Sequence, residues 1–229
     1  MSNSKSNFKL NSDKNSSPNS LVFKTTIMNS NILSEAELTQ LAEQLWLCKK
    51  DAFSPVQLKK LQQIGQQRWQ QGLFRSAKIG RGHEQQEQKS IRSDEILWLD
   101  PKDPELLFFA EICNKIQTEL AQGLMLPIQS YELHWARYPA NSNGYDEHLD
   151  QSKTKDLFHG ERLITFVLYL NDSWQSEDGG QLKIRLPEQT MTIEPQCGTL
   201  MLFRSDSLWH QVLSAKKDRW SLTGWFRRN

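Results

Sequence analysis

The sequence predicts an α+β fold, with helices first and then a β jelly roll (a cupin-like, double-stranded β-helix) carrying the N-terminal helices on one face. Three observations predict it. The N-terminal half places apolar residues at helical spacing behind recognisable cap signals. From Tyr131 onward the pattern changes to alternating, β-branched and aromatic runs, about eight short segments divided by turn residues such as Gly179-Gly180, Pro187-Glu188 and Gln196 to Gly198. Helices followed by a run of strands can bury their apolar stripes on one side of a β core, and jelly rolls of this kind often hold a metal between their sheets.

A chain of 229 residues can build one domain with a real core. Residues 31–229 are expected to form a single catalytic domain. In it, 31–125 supply helical support and a hairpin at 73–99, and 126–229 the jelly-roll core. The 28 basic and 27 acidic residues leave a net charge of +1, so no strong field draws the chain to nucleic acid or to an anionic membrane. Cys48, Cys113 and Cys197 are odd in number and far apart, which fits a reducing cytoplasm better than a disulfide framework. No apolar run approaches the length of a membrane span, and the N-terminus lacks the apolar core of a signal peptide. Oligomeric state is not legible.

Taken in order, residues 1 to about 20 are rich in Ser, Asn and Lys, too polar to offset their ordering entropy, and read as a disordered tail, with 1–30 as a whole disordered or poorly packed. Leu21 to Met28 could form a short strand. Ser34-Glu35-Ala36-Glu37 is a capping box, followed by a helix through Leu38, Leu41, Leu45 and Leu47. Ser54-Pro55 opens a second helix with a buried stripe of Leu58, Leu61, Ile64 and Trp69. Gly72 to Ser93 has little to pack and predicts two short strands joined by a loop at Gly80 to Gln88, a solvated hairpin or a substrate lid. Ile96 to Leu99 reads as a buried strand or turn. Asp103-Pro104-Glu105 is expected to start a third helix that runs to about Gly123.

The chemistry gathers in Tyr138 to Asp150, YPANSNGYDEHLD. Residues two apart on a strand share a face, so His148 and Asp150 could grip one metal, with His210 as a candidate third ligand. Two His and one carboxylate are the donor set of non-haem Fe(II) oxygenases, which keep open positions for co-substrate and dioxygen; the same donors also suit Zn or Mn. Strand parity adds a second test. If Tyr169 faces inward, Val167, Thr165 and Leu163 do too; if Arg219 does, Ser221, Thr223 and Trp225 follow. An inward Arg needs an anion, and a guanidinium suits a carboxylate. The alternative places Arg219 outward at a strand end, beside Asp218.

YPANSNGYDEHLD, RLITFVLYLN, GGQLKIRLP, SDSLWHQVL and RWSLTGWF, in this order, resemble the Fe(II)- and 2-oxoglutarate-dependent prolyl 4-hydroxylase family, in particular the oxygen-sensing prolyl hydroxylases and their bacterial relatives. The resemblance covers about Leu73 to Phe226. It implies Fe(II) on His148, Asp150 and His210, and 2-oxoglutarate held at its distal carboxylate by Arg219 and Tyr169. Tyr138, Thr165, Leu182 and Thr223 would line the co-substrate pocket, with Tyr145, Trp225, Arg92, Asp94 and Arg162 on the substrate side. Ala77 to Ile91 matches the family's substrate-covering loop, which favours the lid. Gln151 to Glu161 looks longer than in the oxygen sensors, and His134, at the parity of Tyr138, is expected to be buried and hydrogen-bonded. The implied reaction hydroxylates a prolyl residue of a protein, consumes O2 and releases succinate and CO2, with ascorbate as a possible reductant. The implied partner is a protein with an exposed Pro, such as a translation factor or ribosomal protein. Two other readings stay open: the same chemistry on a free amino acid or other small molecule, and a non-catalytic metal-binding jelly roll.

Overall fold

A computed structural model describes residues 31–77, 91–151 and 161–228, all but the first residue of which belong to one compact unit, Ile32–Asn229. The expected N-terminal tail with its strand at 21–28, most of the covering loop, and nearly all of the long 151–161 stretch lie outside the described residues.

Three helices precede the main β region. α1 (Glu35–Gln44) has the expected capping box, with Ser34 and Glu37 each satisfying the other's backbone N–H. It ends earlier than the leucine spacing implied. Leu45 takes the left-handed conformation (φ 69°) and its N–H closes on Leu41 O. Leu47 then points into the core from a strand, β1 (Trp46–Lys49), rather than from the helix. α2 (Pro55–Gln70) begins as expected, and Gln57 completes a second capping box with Ser54. Two short paired strands follow, β2 (Arg75–Ser76) and β3 (Glu95–Trp98). β3 is an edge-side strand, not a buried one: Trp98 is 48% exposed. α3 (Leu107–Gly123) starts three residues later than the Asp-Pro signal predicts. Asp103 caps a preceding turn instead, accepting the Glu105 N–H and pairing with Arg68 of α2. One carboxylate oxygen caps that turn while the other pairs with the cation, and the helix itself begins after Leu106.

Eight strands make up the rest: β4 (Ser130–Tyr138), β5 (Tyr145–His148), β6 (Glu161–Tyr169), β7 (Leu182–Arg185), β8 (Thr190–Ile193), β9 (Leu200–Arg204), β10 (His210–Val212) and β11 (Arg219–Arg228). They form two antiparallel sheets, one ordered β1-β9-β6-β11-β4-β3-β2 and the other β5-β10-β7-β8. This is the predicted jelly roll. The central strands of the large sheet are covered on both faces, so their sequences are apolar throughout rather than alternating. Parity still sorts them. Leu133, Trp135, Phe166, Leu168, Leu200, Leu202 and Leu222 join the helices in one core. Ala136, Tyr138, Val167, Tyr169, Met201 and Phe203 point the other way, toward Leu182, Ile184 and Val212 of the small sheet. The helices thus stiffen one face and leave the other as the floor of a site. Helix α2 approaches closely through Gly65, where a Cβ would sit 2.7 Å from Trp135 Nε1. Among the described residues, no helix is long and apolar enough to cross a membrane.

Candidate active site between the two sheets

The first cluster lies where β5 and β10 pair, His148 directly opposite His210. Asp150 sits two residues past the end of β5, at a bend rather than on the strand, and still lies beside His148. His148 Nε2 is 3.6 Å from one Asp150 oxygen and His210 Nε2 is 3.5 Å from the other. One donor atom from each residue falls within 4.8 Å of the others. Both rings are oriented from behind: His148 Nδ1 is 2.7 Å from Asp146 O and His210 Nδ1 is 3.0 Å from Leu208 O. A carbonyl can only accept, so each Nδ1 carries the proton and each Nε2 presents a lone pair to the shared space.

Burial alone would raise the Asp150 pKa, but the His210 and His148 rings beside it, with Arg162, hold the carboxyl well below its ordinary range. Burial keeps His210 neutral, lowering its pKa against the pull of Asp150. A neutral, buried imidazole next to an ionised carboxylate is the state that binds a metal. Thr165 donates to the second Asp150 oxygen at 2.7 Å, and its own oxygen takes the Ser205 hydroxyl proton at 2.9 Å. Thr165, expected along the co-substrate pocket, therefore spends its hydroxyl on Asp150. Ser205, which sequence reasoning missed, completes that relay; a Ser at a strand end gives no signal of its own.

The second cluster settles the parity question for Arg219. It faces inward and is 2% exposed, while Asp218 turns the other way to pair with Arg137. Arg219 Nε donates to Gly180 O at 2.7 Å, and the guanidinium lies between the rings of Tyr138 (5.2 Å) and Tyr169 (5.0 Å). Gly180 (φ 72°) is needed for this approach, because a Cβ there would meet Arg219 Cδ at 3.1 Å. The Gly-Gly pair read from sequence as a plain turn thus anchors the site. The Tyr169 hydroxyl is buried without a hydrogen-bonding partner. Burial pushes its pKa up to about 12, so it stays neutral and able to donate. Leu182 is buried in the floor, and Thr223, on the same face of β11 as Arg219, shares a hydrogen bond with the Ser221 hydroxyl at 3.0 Å.

The remaining expected residues form the rim. Tyr145 stacks on His148 with ring centroids 3.7 Å apart. Arg92 lies over Tyr145 and grips the buried Asp94 through two nitrogens, at 2.6 and 2.9 Å. Arg162 stacks 3.3 Å over the Trp225 ring, pairs with Glu132 and reaches the Asp150 backbone carbonyl. His134 departs from expectation. It is buried, but neither ring nitrogen has a hydrogen-bond partner, and the ring packs instead against Trp98 and Trp225. A buried polar group without a partner is rare in folded proteins and costs about 1–3 kcal/mol.

The profile of the 2OG-Fe(II) oxygenase superfamily matches residues 133–227, the span holding both clusters. A crystal structure of a Pseudomonas putida prolyl-4-hydroxylase superposes with a TM-score of 0.73 at 32% identity, covering 85% of this chain and 98% of that one. The chain belongs to the 2OG-Fe(II) oxygenase superfamily, in its prolyl hydroxylase branch. Human Egl nine homolog 1 is 30% identical over 149 residues, 60% of this chain and 33% of its own length. The chain thus spans about a third of the length of that curated relative. A Trichoplax adhaerens prolyl hydroxylase, solved with a hypoxia-inducible-factor peptide, shares the fold at a TM-score of 0.69 and 23% identity, covering 84% of this chain and 87% of that one. The residues here fit what the superfamily carries. Two imidazole Nε2 atoms and an ionised Asp suit Fe(II) with positions left open. The buried Tyr169 hydroxyl and Arg219 guanidinium are hydrogen-bond donors of the kind a carboxylate such as that of 2-oxoglutarate takes.

Proposed function

We propose that this chain is an Fe(II)- and 2-oxoglutarate-dependent dioxygenase that hydroxylates a prolyl residue of a protein, with residues 31–229 acting as one catalytic domain. The observation that carries the reading is the pairing of the two clusters: a His-Asp-His triad and, across the same floor, a buried Arg219 beside an unpartnered Tyr169 hydroxyl. A jelly roll that only stored metal would not need the second cluster.

In this reading His148, Asp150 and His210 hold Fe(II). Arg219 and Tyr169 hold the distal carboxylate of 2-oxoglutarate, with Tyr138 and Leu182 walling it. Bound Fe(II) and 2-oxoglutarate supply the oxidative chemistry, in which one atom of O2 goes to a C–H bond and the other into succinate, with loss of CO2. The protein's part is orientation. The two backbone carbonyls fix both imidazole tautomers, Thr165 and Ser205 keep Asp150 aimed and ionised, and Gly180 sets the reach of Arg219. Tyr145, Trp225, Arg92, Asp94 and Arg162 border the space where a substrate would approach.

The family relatives named for prolyl hydroxylation support a polypeptide substrate. A translation factor or ribosomal protein with an exposed Pro, ascorbate as reductant and action in the cytoplasm extend the proposal; the separated cysteines support a reducing compartment. The test is succinate release from purified protein with Fe(II), 2-oxoglutarate and O2, with and without a host-cell lysate, followed by mass spectrometry of proline. Lysate-stimulated succinate with an oxidised Pro supports the reading. Stimulation only by a small-molecule extract moves the substrate class, and bound iron without turnover sinks the assignment.

A further inference from the structure

We propose that Asn171 is a positioning residue for the co-substrate: its buried amide fixes where Arg219 stands relative to Tyr169. The inference rests on the reading of those two side chains as holders of the distal carboxylate of 2-oxoglutarate. It goes beyond that reading in naming what aligns them. Tyr169 and Arg219 lie on neighbouring strands, where the pairing of those strands runs out. The last pair between β6 and β11 sets Tyr169 opposite Ser221. Arg219 stands two residues further along, and there the ladder holds it on the β4 side, opposite Tyr138.

On the β6 side the Asn171 side chain takes over from the ladder. The Trp220 N–H donates to Asn171 Oδ1 at 2.6 Å, and Asn171 Nδ2 donates to Trp220 O at 3.0 Å. The Leu170 N–H reaches the same carbonyl at 3.1 Å. An amide that accepts from and donates to one residue's backbone copies a strand partner. The β6–β11 pairing thus gains one side-chain rung, and that rung grips the residue next to Arg219.

Asn171 is itself held from three directions. Its Nδ2 also donates to Pro195 O at 2.7 Å, and its own carbonyl accepts the Cys197 N–H at 2.9 Å. The next turn residue, Gly198, donates its N–H to Tyr169 O at 3.0 Å. From α2, the buried Gln62 donates to Leu170 O and to Asp172 Oδ1, both at 3.0 Å, on either side of Asn171. Asn171 is 6% exposed, so these bonds are shielded from water. The chemistry calls for an amide: two carbonyls face its nitrogen and one N–H faces its oxygen. A carboxylate would set oxygen against two carbonyl oxygens, and an apolar side chain would strip the Trp220 N–H and the Pro195 carbonyl of this partner.

The test is a double-mutant cycle on the full chain loaded with Zn(II), with 2-oxoglutarate as the probe and its Kd measured by calorimetry. Asn171→Ala removes the amide; Asn171→Ser, which keeps a shorter hydroxyl, carries the same comparison if the alanine variant does not fold. Each is made alone and together with Arg219→Met. Alone, Asn171→Ala is expected to raise the Kd about tenfold, because a small misplacement of a binding group is costly. In the Arg219→Met background the same change should move the Kd by no more than about twofold, since the group it places is gone. Zn(II) affinity should stay at the wild-type value throughout. A brace that served only the fold would lower stability in both backgrounds alike and show no such coupling. An unchanged Kd in the Asn171 variants, or an equal loss in both backgrounds, overturns the inference while the Arg219 reading stands. If Arg219→Met alone binds 2-oxoglutarate like wild type, the underlying reading fails and the role of Asn171 falls with it.

Discussion

Replacing Arg219 separates a co-substrate anchor from a structural arginine. Its Nε is already committed to Gly180 O at 2.7 Å, which leaves the two terminal nitrogens for a ligand. Among the described residues no carboxylate pairs with it, although it is 2% exposed. Two hydrogen bonds to a charged partner contribute roughly 1.5–3 kcal/mol each. Arg219→Met should therefore weaken 2-oxoglutarate by at least about 3 kcal/mol, or two orders of magnitude in KM. Arg219→Lys keeps the charge and loses the fork, and should fall between. The same substitution should change thermal stability little, within about 1 kcal/mol, because a buried cation lacking an anion carries a desolvation penalty that Met removes. The assay is the 2-oxoglutarate dependence of succinate release, run beside thermal unfolding of the ligand-free protein. Unchanged 2-oxoglutarate dependence with a large loss of stability would refute the reasoning and make Arg219 a structural brace.

Other consequences can be checked in parallel. Thr165→Val removes the donor on Asp150 at nearly constant volume and should weaken metal binding about 10–100-fold, read by competition with a chelating dye; Ser205→Ala should have a smaller effect in the same direction. Gly65→Ala puts a methyl against Trp135 and should destabilise the fold by about 1–3 kcal/mol in denaturant unfolding, without changing the KM for 2-oxoglutarate. For pH, burial first and then Arg92 and Arg162 lower the folded-state pKa of His134 below its ordinary 6.5. The unfolded chain then binds more protons below 6.5, so stability of the ligand-free protein should rise with pH up to about 6.5 from this group and level off above it. His134→Met should flatten part of that slope, and an identical pH profile would contradict the assignment.

Much of this was legible in sequence because each signal had one local cause. Ser34 and Ser54 are helix caps wherever such boxes occur, and the β-branched runs from Arg162 to Asn171 can bury two faces only inside a sheet sandwich. Parity alone could place Tyr169, Thr165, Ser221 and Thr223 relative to one another; it linked His148 to Asp150, while His210 joined them as a candidate and through the family resemblance. Where the reading failed, a distant partner decided. Leu45 looked like one more helical leucine until its strand-forming successors paired with β9. Asp103 looked like the cap of α3 but caps the turn before it, with its other oxygen paired to Arg68. The inward turn of Arg219 depends on Gly180, which arrives from a different strand connection and leaves no trace in the sequence around Arg219. Ser205 and the unpartnered nitrogens of His134 are likewise properties of packing.

The central claim is best tested by isotope. Purified protein is given Fe(II), 2-oxoglutarate, a host-cell lysate and heavy-oxygen gas, and the label is located by mass spectrometry. The account predicts one heavy oxygen atom on a proline of a lysate protein and one in succinate, both lost in Asp150→Ala and His210→Ala. Label on a small molecule alone, or none in protein while metal and 2-oxoglutarate are bound, would contradict it.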